Sequence, residues 1–147
     1  MANTAPPELV IHATTVGVDG RGLVILGPSG SGKSALALQL LALGAVLVAD
    51  DRTHISRAPS GLVARCPSAI CGMIEARGVG ILNVPHEQDV PVCLAIDMGQ
   101  NETERLPSPH TVELLGQSVP CLHKSEGLHL AAALFLTLKN VQPTRND

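Results

Sequence analysis

The residues best suited to chemistry are Gly27-Pro28-Ser29-Gly30-Ser31-Gly32-Lys33-Ser34. They match G-x-x-x-x-G-K-[ST] at every fixed position. Each residue type has a physical use. The glycines let the backbone approach an anion closely, and successive N–H groups can then point inward at phosphate oxygens. A helix starting at Lys33 adds the partial positive charge of its N-terminus. Lys33 is suited to bridge the β and γ phosphates, and the Ser34 hydroxyl to ligate Mg²⁺. The expected ligand is therefore a nucleoside triphosphate with magnesium.

Asp50 and Asp51 follow the apolar run Val46-Leu47-Val48-Ala49. In open α/β sheets ligands gather at the carboxyl ends of strands, so both carboxylates are expected close to the phosphate loop. One can hold Mg²⁺ directly or through water. The other can take a proton from an attacking hydroxyl. A metal and a like charge side by side push the two pKa values apart, which divides the labour. The plain alternative is a solvated Asp-Asp turn capping the next element.

The surrounding pattern supplies the elements that must position these groups. Leu23-Val24-Ile25-Leu26 reads as a strand buried on both faces, leading into the loop. Lys33 to Leu43 reads as a helix ended by Gly44. Strand, loop, helix and the strand Val46–Ala49 then form one βαβ unit, which sets the second strand near the first. Upstream, Leu9-Val10-Ile11 and Thr14 to Val18 read as strands, and Asp19-Gly20 as a hairpin turn. Downstream, short strands are expected at Ile55, Leu62–Ala64, Gly80–Val84 and Pro91–Met98. Gln100 to His110 reads as a loop, Val112 to Leu122 as strand and turn, and Leu128 to Leu138 as a terminal helix.

Composition sets the bounds. With 147 residues, 45% of them hydrophobic, the chain is read as one domain, residues 1–147, with a flexible leader (1–8) and tail (141–147). One Phe and no Tyr or Trp leave no stacking platform for single-stranded nucleic acid. The net charge of -3 gives no basic excess for a phosphate backbone, so no nucleic-acid partner is expected. No secretory pattern is visible, and the apolar stretch Ala35–Ala49 is too short to span a membrane. Cys66, Cys71, Cys93 and Cys121 lack C-x-x-C spacing and read as ordinary reduced thiols of a cytoplasmic protein. His54, His86, His110, His123 and His129 are scattered without metal-ligand spacing and receive no role.

The order and spacing of His12, Asp19, the loop at Gly27 and Ala49-Asp50-Asp51 resemble the catalytic domain of the HPr kinase/phosphorylase family. Glu75-Ala76-Arg77-Gly78-Val79-Gly80-Ile81-Leu82-Asn83-Val84 is similar to that family's signature, an acidic residue before R-G-[LVI]-G-[IL]. Arg105-Leu106, Glu113-Leu114-Leu115-Gly116 and Val119-Pro120 are similar to its C-terminal stretch. The likeness covers nearly all of residues 9–140 and follows the short, single-domain form without an N-terminal domain.

What this resemblance implies is specific. The fold would be α/β, a P-loop domain with a mixed sheet related to phosphoenolpyruvate carboxykinase. The activity would be ATP- and Mg²⁺-dependent phosphorylation of a serine on HPr, the phosphocarrier protein of the phosphotransferase system, with phospho-HPr phosphorolysis as a second activity. Asp50 matches the acid/base aspartate. Asp51 and Glu75, with Ser34, match the surroundings of the metal. His12 matches a histidine that interacts with the aspartate pair, and Arg105 an arginine that neutralises the transferring phosphoryl group. The family also implies a cytoplasmic homo-oligomer, a hexamer in its usual form. Where typical members carry a longer Gly-rich basic loop after the signature, this chain has the short acidic Pro85-His86-Glu87-Gln88-Asp89-Val90. The alternative is a regulatory P-loop protein that senses ATP or phosphate with little transfer. Asp50 separates the two, because a switch needs no base beside the γ-phosphate.

Overall fold

The computed structural model describes residues 8–69 and 71–140. The expected leader and tail at 1–7 and 141–147 lie outside the described residues. Glu8 does not belong to a leader, because it opens strand β1 (Glu8–Ile11).

A central sheet carries nine strands in the order β1-β5-β6-β9-β3-β2-β4, with β11 also paired to β9 and β10 to β11. The remaining strands of this sheet are β2 (Thr14–Val18), β3 (Arg21–Leu26), β4 (Val46–Ala49), β5 (Thr53–Ala58), β6 (Gly61–Arg65), β9 (Val90–Asn101), β10 (His110–Leu114) and β11 (Gln117–Lys124). A separate two-stranded sheet joins β7 (Met73–Ala76) to β8 (Gly80–Asn83). The helices are α1 (Lys33–Leu43) and α2 (Leu130–Asn140). The sheet is mixed, as the resemblance implies: β3–β9 and β9–β11 are parallel, and the other pairs are antiparallel.

The βαβ expectation needs one correction. β3 and β4 point the same way but are not neighbours, because β2 lies between them and pairs antiparallel with both. The cause is local. Asp19 and Gly20 both have positive φ, 52° and 76°, as a tight two-residue hairpin requires. That turn folds β2 onto β3 and takes the edge that β4 would otherwise occupy. The C-terminal ends of β3 and β4 and the start of β2 therefore share one end of the sheet.

The apolar runs are buried as their length demands. On β3, Leu23 and Ile25 join one core with Leu36, Leu40, Leu47, Ile96, Leu134 and Leu138, beneath the two helices. Val24 points to the other face, into a second core with Val48, Ile55, Ala64, Ala95 and Val119. Each buried Val, Leu or Ile among them contributes about 1.5–3 kcal/mol. The helix-ending glycine is also seen. Gly44 has φ 120°, its N–H bonds to Leu41 O and that of Ala45 to Leu40 O, the paired bonds of a Schellman cap.

Other sequence expectations shift in detail. Gln100 and Asn101 extend β9, and His110 opens β10, so the loop is shorter than expected. Val112–Leu122 lies within a hairpin turned by Leu115 and Gly116, with φ 49° and 77°. The terminal helix starts at Leu130 and not at Leu128. Pro85–Gln88 is not a free loop. Leu47 N–H bonds to Pro85 O, Glu87 N–H to Leu47 O, and Gln88 Nε2 to Val48 O, which seals the outer edge of β4. The cysteine expectation is overturned for one pair: Cys66 and Cys71 form a disulfide, while Cys93 and Cys121 are free. The chain turns back on itself between β6 and β7, and this brings the two sulfurs together without any C-x-x-C spacing.

Candidate functional site

The phosphate loop leaves β3 at Gly27, whose φ of 141° suits glycine. A Cβ there would stand 2.6 Å from Ser31 Oγ, so the close approach of loop to loop also demands it. Helix α1 begins directly after Gly32 with no side-chain cap and no acidic residue in its first turn. Its first N–H groups are therefore left for an anion. Lys33 is buried and folds back over the loop, donating from Nζ to Gly27 O at 2.7 Å and Pro28 O at 3.1 Å. Ser31 Oγ is buried without a hydrogen-bond partner. Unpaired N–H groups, an orphaned hydroxyl and a retracted ammonium fit a polyphosphate.

The aspartates meet this loop from β4. Asp50 Oδ1 accepts the Ser34 hydroxyl at 3.0 Å and the Thr14 hydroxyl at 3.1 Å. Its Oδ2 faces the Glu75 N–H at 3.5 Å, from the signature hairpin. Thr14 also accepts the Asp51 N–H at 3.0 Å. One fully buried threonine thus ties both aspartates to the start of β2. Beneath it, Thr53 Oγ1 donates to Ala13 O at 2.9 Å. A hydroxyl has one hydrogen, so Thr15 donates to Thr53 Oγ1, also at 2.9 Å.

Asp51 points elsewhere. Its φ is 70°, and Arg52 N–H bonds to Asp50 O at 2.7 Å. A positive φ inside an i→i+2 bond marks the rarer, strained kind of γ-turn. Such strain costs about 1–3 kcal/mol and clusters at functional sites. Here it separates two adjacent carboxylates that would otherwise crowd. Asp51 Oδ1 lies 2.7 Å from His12 Nε2, and because a carboxylate only accepts, Nε2 carries the hydrogen. Both side chains are more than half exposed, so the pair contributes little to stability.

The donor set fits Mg²⁺: the Ser34 hydroxyl and Asp50 carboxylate are in contact, and the Asp51 and Glu75 carboxylates lie on the two segments next to them. A cavity of about 160 Å³ opens beside Asp50, Asp51 and Arg52 and is closed by Cys66, Cys71 and Met73. A larger one, about 550 Å³, lies at the opposite end of the sheet around Arg21, Pro59 and Cys93, away from these groups.

Sequence reasoning named the phosphate loop, Lys33, Ser34, Asp50, Asp51 and His12, and the structure brings them together. Glu75 joins through its backbone, with its side chain exposed on β7. Arg105 does not join. It sits exposed in the loop between β9 and β10 and forms no hydrogen bond or ion pair among the described residues. Thr14, Thr53 and Gln88 were missed. The only available signal was the position of Thr14 two residues after His12, at the head of a strand.

This arrangement can be set beside known proteins. The model of the HPr serine kinase C-terminal domain matches residues 3–90. The chain belongs to that family. Similar relatives are named HPr kinase/phosphorylase. That of Azoarcus sp. (strain BH72) is 37% identical over 149 aligned positions, covering 90% of this chain and 48% of the relative. That of Clostridium acetobutylicum is 47% identical over 79 residues, 54% of this chain and 26% of the relative. The solved Hpr(Ser) kinase/phosphatase from Coxiella burnetii superposes with a TM-score of 0.75 at 27% identity, covering 90% of this chain and 89% of that one. The chain spans between about a quarter and a half of the length of the HPr kinase/phosphorylase relatives just described. The mixed α/β architecture is that of the family's C-terminal domain. Among the described residues no helix is long and apolar enough to cross a membrane.

Proposed function

We propose that the chain is an ATP-dependent protein-serine kinase acting on the phosphocarrier protein HPr. The observation that carries this reading is the convergence of the Ser34 and Thr14 hydroxyls on Asp50 Oδ1, which leaves Oδ2 turned toward the signature hairpin. A carboxylate fixed by two hydroxyls on Oδ1, with only the long 3.5 Å contact from the Glu75 N–H on Oδ2, has acceptor capacity left to take the proton of an incoming serine hydroxyl. As the serine oxygen bonds to the γ-phosphorus, the bond to the β-γ bridging oxygen breaks, ADP leaves and Asp50 holds the proton.

The loop N–H groups and the start of α1 grip the phosphates. Lys33 exchanges the carbonyls of Gly27 and Pro28 for phosphate oxygens. Ser34, Asp51 and Glu75 would hold Mg²⁺, which supplies charge neutralisation for the transferring group when bound. His12 fixes the Asp51 carboxylate on the far side of the strained turn. Arg105 reaches the transferring group only if its loop folds inward, and we assign it that role on the resemblance alone. The same Asp50, run backwards, would activate phosphate for phosphorolysis.

The test is transfer of labelled γ-phosphate from ATP to purified HPr, compared with HPr whose acceptor serine is alanine. Label on the first and none on the second supports the kinase. ATP binding without label on either supports the regulatory alternative.

A further inference from the structure

His110 and His123 are 13 residues apart in sequence, a distance that suggests no shared site. The β10–β11 hairpin cancels that separation. His110 stands opposite Cys121, and His123 lies two residues beyond Cys121, so both rings leave the same face of the sheet. The rings stack with centroids 4.0 Å apart and planes 8° from parallel. A carboxylate joins them: Glu102, just past β9, places Oε1 3.3 Å from His110 Nε2. One donor atom from each of Glu102, His110 and His123 lies within 4.8 Å of the others, and all three side chains are partly buried.

We infer that Glu102, His110 and His123 form a binding site for a zinc-class divalent ion, separate from the magnesium site at the phosphate loop. Two imidazoles and one carboxylate are a common donor set for zinc, with a fourth position left open. Bonds of about 2.0–2.2 Å set tetrahedral donors roughly 3.4 Å apart, a spacing that Glu102 and His110 already have at 3.3 Å, so it is His123 that must move closer. Two rings cannot ligate one ion while stacked face to face. Binding therefore turns them out of the stack. The carboxylate is pre-oriented, because Glu102 Oε2 accepts the N–H groups of Thr103 and Glu104 at 3.2 and 3.1 Å. Glu102 is also anchored by its own N–H to Lys124 O at 2.8 Å, next to His123.

The placement gives the site a consequence. Glu102 and His110 are the two ends of the loop that carries Arg105. An ion held between them clasps the base of that loop and restricts where Arg105 can go. Metal binding stands on the geometry alone. Only its effect on phosphoryl transfer rests on the kinase reading.

The experiment is a titration of the full chain with Zn²⁺ by calorimetry, and with Co²⁺ by visible absorption. It compares wild type, the H110Q/H123Q double variant and D51N. We expect one zinc-class site in wild type and D51N, and at least ten-fold weaker binding in the double variant. Binding that survives in the double variant but is lost in D51N overturns the proposal. So does equal binding in all three. A second measurement needs no variant: the ring-proton resonances of His110 and His123 in wild type shift together on zinc addition as the stack opens. Unchanged resonances at saturating zinc overturn the proposal independently. Neither readout depends on activity, so failure here leaves the kinase reading untouched.

Discussion

Ser34 donates its hydroxyl to Asp50 Oδ1 across 3.0 Å, joining the last residue of the phosphate loop to the first residue beyond β4. The contact crosses β2, the strand between their parent strands. In the proposed mechanism, ligand grip and proton acceptance are therefore mechanically linked. A change that moves β4 along β2 changes both.

Replacing Asp50 with Asn separates these roles. The amide can still accept the Ser34 and Thr14 hydroxyls, so Mg-ATP affinity is expected to stay within a few-fold of wild type. It cannot hold the serine proton, and transfer is expected to fall by about 10²–10⁴. Nucleotide affinity by calorimetry and labelled transfer to HPr check the two halves. Unchanged transfer removes Asp50 as the base.

Thr14→Val keeps the volume but removes the one hydroxyl that bonds both aspartates. The Asp51 N–H loses its partner, and Asp50 Oδ1 keeps only Ser34. Leaving buried polar groups unpaired costs about 1–3 kcal/mol, to be read from urea denaturation. Transfer should fall as well, because the strained turn at Asp51 loses its tether. A variant as stable and as active as wild type would show that Thr14 is only filler.

Much of the site was legible in the sequence because its signals are local. A phosphate loop is eight consecutive residues, and its strand and helix lie beside it. Asp50 and Asp51 follow an unmistakable apolar strand. What escaped depends on long-range pairing. Thr14 matters only because β2 lies between β3 and β4; the Asp19-Gly20 turn signals the β2–β3 hairpin, but no local pattern encodes the pairing of β4 onto the far edge of β2. The β7 strand escaped because Met73–Ala76 is short and pairs only within its own hairpin. The Cys66–Cys71 pair escaped because the turn that unites the two sulfurs follows no spacing rule. Arg105 is the reverse case: family likeness gives it a role, and its exposed loop shows no partner for it among the described residues.

The cysteines give a direct check. Thiol titration of the unreduced, denatured chain should count two groups, Cys93 and Cys121, and four after reduction. Reduction should lower stability by about 2 kcal/mol, the entropy of closing so short a loop. In the native chain both free thiols should also react slowly. Burial pushes the Cys93 thiol up, and burial reinforced by the Asp97 charge does the same for Cys121. A raised thiol pKa leaves less thiolate at neutral pH, so alkylation should accelerate only above the pH at which an ordinary cysteine reaches half its limiting rate. The alkylation rate against pH reads this directly, and a midpoint at or below the ordinary thiol value contradicts it.

The His12–Asp51 pair should matter to activity far more than to stability. Its two side chains are 51% and 67% exposed. An exposed pair of this kind is worth about 0–1 kcal/mol, so a double-mutant cycle with His12→Ala and Asp51→Ala should give a small coupling energy in denaturation. The geometry it enforces is another matter. Without the imidazole, the Asp51 carboxylate loses the hydrogen bond that holds it in the orientation from which it would share Mg²⁺ with Ser34 and Glu75. His12→Ala should therefore raise the magnesium concentration that transfer requires, while the melting temperature hardly changes. His12→Asn can still donate a hydrogen bond and should restore part of the loss. Loss of stability in step with loss of activity would instead make His12 a structural residue.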